Sequence, residues 1–317
     1  MKRLIAFAHY DKDAVVDDYV LRLLDGIKPF ADRIVFVSDS PLSDSEAAKI
    51  LNYGECVFAR RHEMYDFGSW KIALSHVWND LEAYDELVIM NDSCFGPIAD
   101  FQSVFDEMDR CECDFWGLTG THLRKKKHFS LNSYFMAFRK SVLKNPKFKE
   151  FWSGVEIQKS KSDVVYKYEF GISDLLHAQG YKSNSYCGWF HTDVMVSSAF
   201  FPVVWRKKKC PLVKVKLFRL NPTMAPKLDC WLDVLGTVYP RLLVDNLVER
   251  YLGVSVPDHY NYRYPTFKTY WGSDRLISTK ARYTKSKKWW RYYVKFLGIP
   301  VLMLILPSGI KKRDQAN

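Results

Sequence analysis

Apolar runs and helix-spaced apolar positions alternate over residues 1–92. Four short apolar runs, bounded by polar residues, predict buried strands over residues 3–10, 33–40, 56–61 and 86–92. Between them, apolar side chains recur at helical spacing over residues 11–27, 43–51 and 66–81. This alternation of strand and helix predicts a mostly parallel sheet that is covered by helices on both faces.

The alternation is less regular after residue 100. The pattern predicts a helix over 103–110, a strand over 114–120, a strand leading into a helix over 131–145, and a helix followed by a strand over 168–188. From residue 203 onward the chain is basic and aromatic, with no clear period. We therefore predict an α/β fold with a mostly parallel central sheet and a basic, aromatic C-terminal extension.

Polar side chains follow three of the predicted strands. In sheets of this kind, ligands bind beyond the carboxyl ends of the strands. The residues at those ends are Ser38, Asp39, Ser40, Arg60, Arg61, Asn91, Asp92 and Ser93. Carboxylates that hold a divalent cation and guanidinium groups that bind phosphates would suit a nucleoside diphosphate. The alternative for Asp92 is a simple turn that ends the strand.

Four further side chains are candidates for chemistry. Asp66 stands at the start of a predicted helix, where it could instead serve only as the helix cap. Glu169 and Asp174 share a short helix, and either could be a general base, or both could form a solvated acidic helix start. His191 follows a predicted strand, although a lone histidine is more often structural than a ligand.

Composition narrows the class of protein. The 317 residues are 48% hydrophobic and 26% charged, which indicates a globular chain. No G-x-G-x-x-G follows the first strand and no G-x-x-x-x-G-K-[ST] occurs, so neither a dinucleotide-binding fold nor a P-loop is expected. Seven cysteines without metal or disulfide spacing favour a reducing compartment. We expect no secretory signal, because only five apolar residues follow Lys2 and Arg3.

Six short motifs together resemble a known family. "VSDS", "DFGSW", "NDSCFGPI", "FWGLT", "NSYFMAF" and "YEFGIS" stand in the order seen in the rhamnan synthesis protein F family, over roughly residues 3–225. That family comprises bacterial glycosyltransferases of surface polysaccharide assembly, and it resembles nucleotide-sugar transferases of the A-type fold. We accordingly expect a glycosyltransferase domain over residues 1–202, with the basic, aromatic region 203–284 packed on it.

The resemblance implies a weakened metal site. In A-type transferases a D-x-D motif after the fourth strand holds a divalent metal on the donor diphosphate. Here Asn91-Asp92-Ser93 occupies that place with a single carboxylate. We therefore expect Mg²⁺ or Mn²⁺ to bind weakly at Asp92, with His191 as a second candidate ligand, or not to bind at all.

The resemblance also implies which residues bind the donor and which is the base. It implies that Asp39 contacts the nucleotide base and that Asp66 lies in the segment that approaches the nucleoside. Together with the residues at the strand ends, the expected donor-binding set is Ser38, Asp39, Arg60, Arg61, Asp66, Asn91, Asp92 and Ser93. In related families the base lies 12 residues before a tyrosine that follows the helix. Counting back 12 residues from Tyr181 gives Glu169, which we prefer to Asp174 as the base.

The function implied by the resemblance is transfer of a deoxysugar, L-rhamnose from dTDP-rhamnose, onto a growing bacterial surface polysaccharide. Glu169 would take the acceptor proton, and a single displacement predicts inversion at the anomeric carbon. A metal on Asp92, or Arg60 and Arg61, would offset the charge of the leaving diphosphate. The alternative is a catalytically degenerate, membrane-associated scaffold, since one carboxylate of the metal motif is missing.

The net charge of +11 calls for an anionic partner. No run of 18 apolar residues exists, so we expect no spanning helix. Residues 285–317 carry basic clusters on both sides of the apolar run Phe296–Pro307, and predict an amphipathic tail that binds anionic lipid rather than nucleic acid. The alternative is a buried core helix. We therefore expect a cytoplasmic protein on the inner face of the cell membrane, with a lipid-linked glycan as acceptor.

Overall fold

The structure is a computed structural model that describes residues 1–123, 128–190, 209–220 and 235–253, and the backbone of residues 277–283, 289–296 and 299–307. The chain divides into two compact units, Met1–Tyr260 and Asn261–Asn317. The three-part division expected from composition and from the resemblance, at residues 202 and 284, stays a prediction.

A seven-stranded sheet forms the centre of the first unit. Its strands are β1 Arg3–His9, β2 Arg33–Ser38, β3 Glu55–Ala59, β4 Glu86–Asn91, β6 Phe115–Gly117, β9 Phe135–Arg139 and β10 Ser183–Ser185. Their order is β10-β6-β9-β4-β1-β2-β3, and β9 runs antiparallel to both of its neighbours. Two smaller sheets consist of β7 Gly120–Leu123, β8 His128–Leu131 and β11 Trp189–Phe190, and of β5 Cys94–Phe95 and β12 Val213–Lys214.

Helices cover both faces of the central sheet. They are α1 Asp18–Ile27, α2 Asp44–Ala48, α3 Tyr65–Val77, α4 Phe101–Asp109, α5 Lys140–Leu143, α6 Pro146–Ser153, α7 Lys161–Val164, α8 Gly171–Ala178, α9 Val215–Leu220 and α10 Arg241–Leu252, with a π-helical turn Val165–Phe170 between α7 and α8. Alternate residues of β1 enter two separate cores: Ile5 and Phe7 pack with α1, α4 and α10, whereas Leu4 and Ala6 pack with α3, α6 and α8. The predicted α/β fold with a mostly parallel sheet is confirmed.

The parallel strands all end at one side of the sheet, which we call the carboxyl edge. Because β9 is antiparallel, it begins at this same edge, and its first residue Phe135 pairs with Met90 near the end of β4. The chain just before Phe135 is therefore a neighbour of the chain just after Met90. Ligands of open α/β sheets bind at such an edge.

The first two helices show how local chemistry sets helix ends. The helix predicted over 11–27 begins only at Asp18, since the acidic residues before it bind Arg250 from α10. The helix predicted to start near Ser43 does so, and the Ser43 side chain accepts a hydrogen bond from the backbone N–H of Glu46.

The second unit contains an antiparallel sheet of three strands, β13 Ile277–Tyr283, β14 Trp289–Phe296 and β15 Ile299–Pro307. The apolar run Phe296–Pro307 is thus largely extended chain, so the alternative of a buried core helix is wrong. Its aromatic and branched side chains favour strands. No helix in the described part of the chain is long and apolar enough to cross a bilayer. Lipid binding by residues 285–317 stays a prediction.

Candidate functional site

The turn after β4 is built around Asn91. Its side-chain oxygen accepts hydrogen bonds from the backbone N–H and the hydroxyl of Ser93, and its amide nitrogen donates to Asp66 at 2.9 Å. Asn91, and not Asp92, therefore makes the side-chain turn that ends the strand. Asp66 is not the cap of α3, which is Met64, but lies in the first turn of that helix. The predicted donor residues Asn91, Ser93 and Asp66 thus form one connected group.

Asp92 is buried and points at the neighbouring strand β1. One of its carboxyl oxygens accepts a hydrogen bond from the backbone N–H of Tyr10 at 2.9 Å and lies 4.0 Å from the His9 ring. Burial raises the pKa of Asp92 to about 8; the Tyr10 bond opposes this rise, and the nearby carboxylates of Asp66 and Asp11 add to it. A buried carboxyl group with a raised pKa, at the edge of such a sheet, is a strong candidate for function.

The groups around Asp92 do not fit a protein-held divalent cation. Across the described residues, no three carboxylate, imidazole or thiol side chains come together in a way that could hold a metal ion. The nearby carboxylate of Asp11 is already bound by two nitrogens of Arg250. His191, the second predicted ligand, lies outside the described residues.

Asp39, at the end of β2, holds the loop that follows β3. One oxygen accepts hydrogen bonds from the backbone N–H groups of His62 and Glu63, at 2.6 and 3.0 Å, and the other accepts from Arg61 at 3.1 Å. Glu63 has a positive φ of 61°, a left-handed conformation that costs energy in a residue with a side chain. Asp39 and Arg61, which the sequence placed at the same edge of the sheet, are thus in contact. Arg60, just after β3, is exposed.

Two residues at the end of β1, which the sequence analysis did not predict, also belong to this edge. His9 is buried, its ring nitrogen lies 2.9 Å from the Ser38 hydroxyl, and burial lowers its pKa to about 4. Asp11 follows two residues later, and its backbone N–H donates to Ser40. Both residues could have been predicted from the sequence, because ligands bind beyond the carboxyl ends of the strands and His9 and Asp11 stand at the end of β1.

Arg250 of α10 fastens the loop between β1 and α1. Its two terminal nitrogens bind both oxygens of Asp11, at 3.0 and 2.7 Å, and also Asp13 at 2.8 Å and Asp17 at 2.9 Å. Tyr251 adds a hydrogen bond from its hydroxyl to Asp11 at 3.0 Å. The C-terminal part of the first unit thereby fixes a loop at the carboxyl edge, which no local sequence signal could reveal.

Replacing Arg250 should weaken the fold measurably. Arg250→Met leaves the buried Asp11 without its cation, beside two other carboxylates. Breaking a fully buried ion pair costs about 3–5 kcal/mol. Because the Arg250 side chain is a quarter exposed, we expect a slightly smaller loss, about 2–4 kcal/mol, in the free energy of unfolding at pH 7. Urea unfolding measures it. Arg241→Met on the same helix, whose pair with Asp245 is more exposed, should cost no more than about 0.5 kcal/mol.

The difference in stability between the wild type and Arg250→Met should depend on pH. Burial alone would raise the pKa of Asp11, but the hydrogen bonds from Arg250 and from the backbone of Asp13 hold it below its usual value. A lowered pKa stabilises the folded state above the unfolded value of about 3.9 and loses that effect as the pH falls. The stability gap between wild type and Arg250→Met should therefore close in acid; a gap that widens there would contradict this role.

Glu169 lies at the carboxyl edge, on the π-helical turn. Its carboxylate accepts hydrogen bonds from the backbone N–H of Ser133, at 3.0 Å, and from the Ser133 hydroxyl. Ser133 stands two residues before Phe135, where β9 begins beside the end of β4. The Ser130 hydroxyl also donates to the backbone carbonyl of Glu169. Asp174, in contrast, is exposed on α8. The geometry favours Glu169 over Asp174 as the group near the other candidates.

Comparison with known proteins finds one family. The rhamnan synthesis protein F family matches residues 34–274, in agreement with the motifs. A curated relative, the uncharacterized protein y4gN of Sinorhizobium fredii, is 23% identical over 156 residues, which are 48% of this chain and 40% of that protein. The chain thus spans less than half the length of this relative.

Two solved structures resemble parts of the fold. One, described as a nucleotide-diphospho-sugar transferase from Desulfovibrio desulfuricans, is 18% identical, with a TM-score of 0.40, and the match covers 75% of this chain and 99% of that one. The other, a glycosyltransferase involved in the glycosylation of the major capsid of PBCV-1, is 10% identical, with a TM-score of 0.35, and the match covers 68% and 92%.

Proposed function

We propose a function for this chain, which belongs to the rhamnan synthesis protein F family: it is a glycosyltransferase that moves a deoxysugar, L-rhamnose from dTDP-rhamnose, onto a growing bacterial surface polysaccharide. The observation that carries the proposal is the arrangement of Asp92, the Asn91–Ser93–Asp66 group and Glu169 at one edge of the sheet. Family membership supports the reaction class, and the choice of rhamnose rests on the family name alone.

The proposed reaction is one displacement. Glu169 takes the proton from an acceptor hydroxyl as that oxygen attacks the anomeric carbon of the donor. The bond from this carbon to the diphosphate breaks, and its electron pair stays on the phosphate oxygen. Attack and departure on opposite sides invert the anomeric carbon. The two hydrogen bonds from Ser133 fix the Glu169 carboxylate in place before the acceptor arrives.

Donor hydrolysis and thermal shift test this function together. The full chain is incubated with dTDP-rhamnose, UDP-glucose and GDP-mannose, each with Mg²⁺ and with a chelator. We expect slow release of dTDP from dTDP-rhamnose, and a rise in melting temperature with dTDP, because a ligand that binds only the folded state stabilises it. If no donor is cleaved and no nucleotide shifts the melting curve, the chain is the scaffold, which the single carboxylate at Asp92 would then explain.

We further propose that the amphipathic tail, residues 285–317, binds the inner face of the membrane, where a lipid-linked acceptor would lie. The test replaces Lys285, Lys287 and Lys288 with glutamine and measures sedimentation with vesicles that contain anionic lipid. Each lysine near such a surface contributes about 1 kcal/mol, so binding should fall at least about tenfold. The control replaces three exposed lysines of the first unit, Lys144, Lys147 and Lys149.

Both variants lose the same charge, so a difference between them reports position and not net charge. Vesicles without anionic lipid should bind the wild type weakly. Equal loss of binding in the two variants would contradict a dedicated tail.

A further inference from the structure

Lys214 brings a cation to the turn after β4. It lies on β12, which pairs antiparallel with β5, and its pairing partner Cys94 is the residue after Ser93. Its ammonium donates a hydrogen bond to the Ser93 hydroxyl at 2.7 Å. The same ammonium lies 4.2 Å from the centre of the buried Tyr134 ring, a cation–π contact that holds it in place.

A directed chain of hydrogen bonds runs through this turn. The Lys214 ammonium donates to the Ser93 hydroxyl, Ser93 donates to the Asn91 side-chain oxygen, and the Asn91 amide nitrogen donates to Asp66. A positive charge thus stands at one end of the chain and a carboxylate at the other. The sequence predicted that a metal would bind weakly in this place or not at all, and the described residues offer a fixed ammonium there instead of a second carboxylate.

We propose that Lys214 is a catalytic residue that binds the leaving diphosphate of the donor, in the place where a D-x-D motif would hold a metal ion. This proposal rests on the proposed glycosyltransferase function. When the bond between the anomeric carbon and the phosphate oxygen breaks, that oxygen keeps the electron pair. The ammonium stays protonated and stabilises the new charge through a charge-assisted hydrogen bond that is already oriented.

The arginines that the sequence suggested for this task are less well placed. They follow β3, which is three strands away from β4, a separation of about 14 Å at the usual strand spacing. Arg61 donates to the carboxylate and the backbone carbonyl of Asp39 and packs on the Tyr10 ring. Lys214 instead contacts the same turn as Asp92.

The test separates the diphosphate from the rest of the nucleotide. Calorimetric titration of the full chain, in chelator and again with Mg²⁺, uses dTDP, UDP, GDP and CDP and the four matching nucleosides. Three variants are compared: Lys214→Met removes the charge, Lys214→Arg keeps it, and Lys140→Met is the control. Lys140 is also half-buried, but it begins α5 at the end of β9, on the opposite side of the sheet.

We expect Lys214→Met to bind the preferred nucleoside diphosphate about 10- to 100-fold more weakly, the usual cost of losing a charged hydrogen bond. Its affinity for the matching nucleoside should equal that of the wild type. Lys214→Arg should stay within a few-fold, and Lys140→Met should match the wild type. Unchanged diphosphate affinity in Lys214→Met overturns the proposal and leaves the function standing.

Other outcomes are equally decisive. If Lys214→Met loses nucleoside and diphosphate alike and melts at a lower temperature, Lys214 is structural and the proposal is wrong. If the wild type binds the diphosphate only when Mg²⁺ is added, a metal and not the lysine takes the charge. If the wild type binds no diphosphate under either condition, the proposed function fails and this inference fails with it.

Discussion

Glu169→Gln should abolish sugar transfer and leave the affinity for the nucleotide donor near that of the wild type. Glutamine has the size of glutamate, and its amide oxygen can still accept both hydrogen bonds from Ser133, so the π-helical turn should keep its shape. It cannot take a proton from the acceptor. Removal of a general base typically lowers the rate by about 10²- to 10⁴-fold. Single-turnover transfer measures the rate, and calorimetry with dTDP measures binding.

Asp174→Asn is the matched control for this prediction. It lies on α8, the helix that continues from the π-helical turn carrying Glu169, but its side chain is exposed. The substitution should leave the rate within about twofold, as expected for a change at an exposed position. An inactive Asp174→Asn together with an active Glu169→Gln would reverse the assignment. Loss of dTDP binding in Glu169→Gln would instead assign Glu169 to the donor site.

The centre of the sheet was predictable because β1, β2 and β4 are buried on both faces. Residues of β1 and β4 alternate between two cores, so each strand appears in the sequence as one unbroken apolar run. The polar residues after those runs then identify the carboxyl edge, because a strand buried on both faces is followed by polar, ligand-accessible side chains only where it ends. Asp39, Asn91 and Asp92 can be identified in this way from the sequence alone.

The contacts that complete the edge come from distant parts of the chain. Lys214 lies 121 residues from Ser93, and Arg250 lies 239 residues from Asp11, so no local period or spacing connects them. The small strands β5 and β12 have two residues each, too few to show an alternation. The basic composition after residue 203 was visible in the sequence, but which of its cations reaches the site is a property of the tertiary structure.

Asp92→Asn should lose transfer and, at alkaline pH, gain stability relative to the wild type. The rate should fall by about 10²- to 10³-fold, the usual cost of losing one contact that stabilises charge in the transition state, because the amide N–H is a weaker hydrogen-bond donor than the neutral carboxyl group it replaces. The stability effect follows from the raised pKa of Asp92, about 8 in the folded chain. The unfolded value is about 3.9, so between these pH values the folded state binds more protons, and wild-type stability falls as the pH rises. Asparagine has no such dependence.

The quantity to measure is therefore the melting temperature of Asp92→Asn minus that of the wild type, in chelator, at pH 5, 7 and 9. This difference should grow by at least about 3 °C from pH 5 to pH 9, the shift that about 1 kcal/mol produces in a protein of this size. The amide can still accept the hydrogen bond from Tyr10, and any packing cost of its nitrogen is the same at every pH, so neither affects the trend. Asp174→Asn, an equal change at an exposed site, supplies the baseline. Parallel curves for Asp92→Asn and the wild type would mean that Asp92 is ionised in the folded chain, and that the edge is more open to water or cations than its buried contacts indicate.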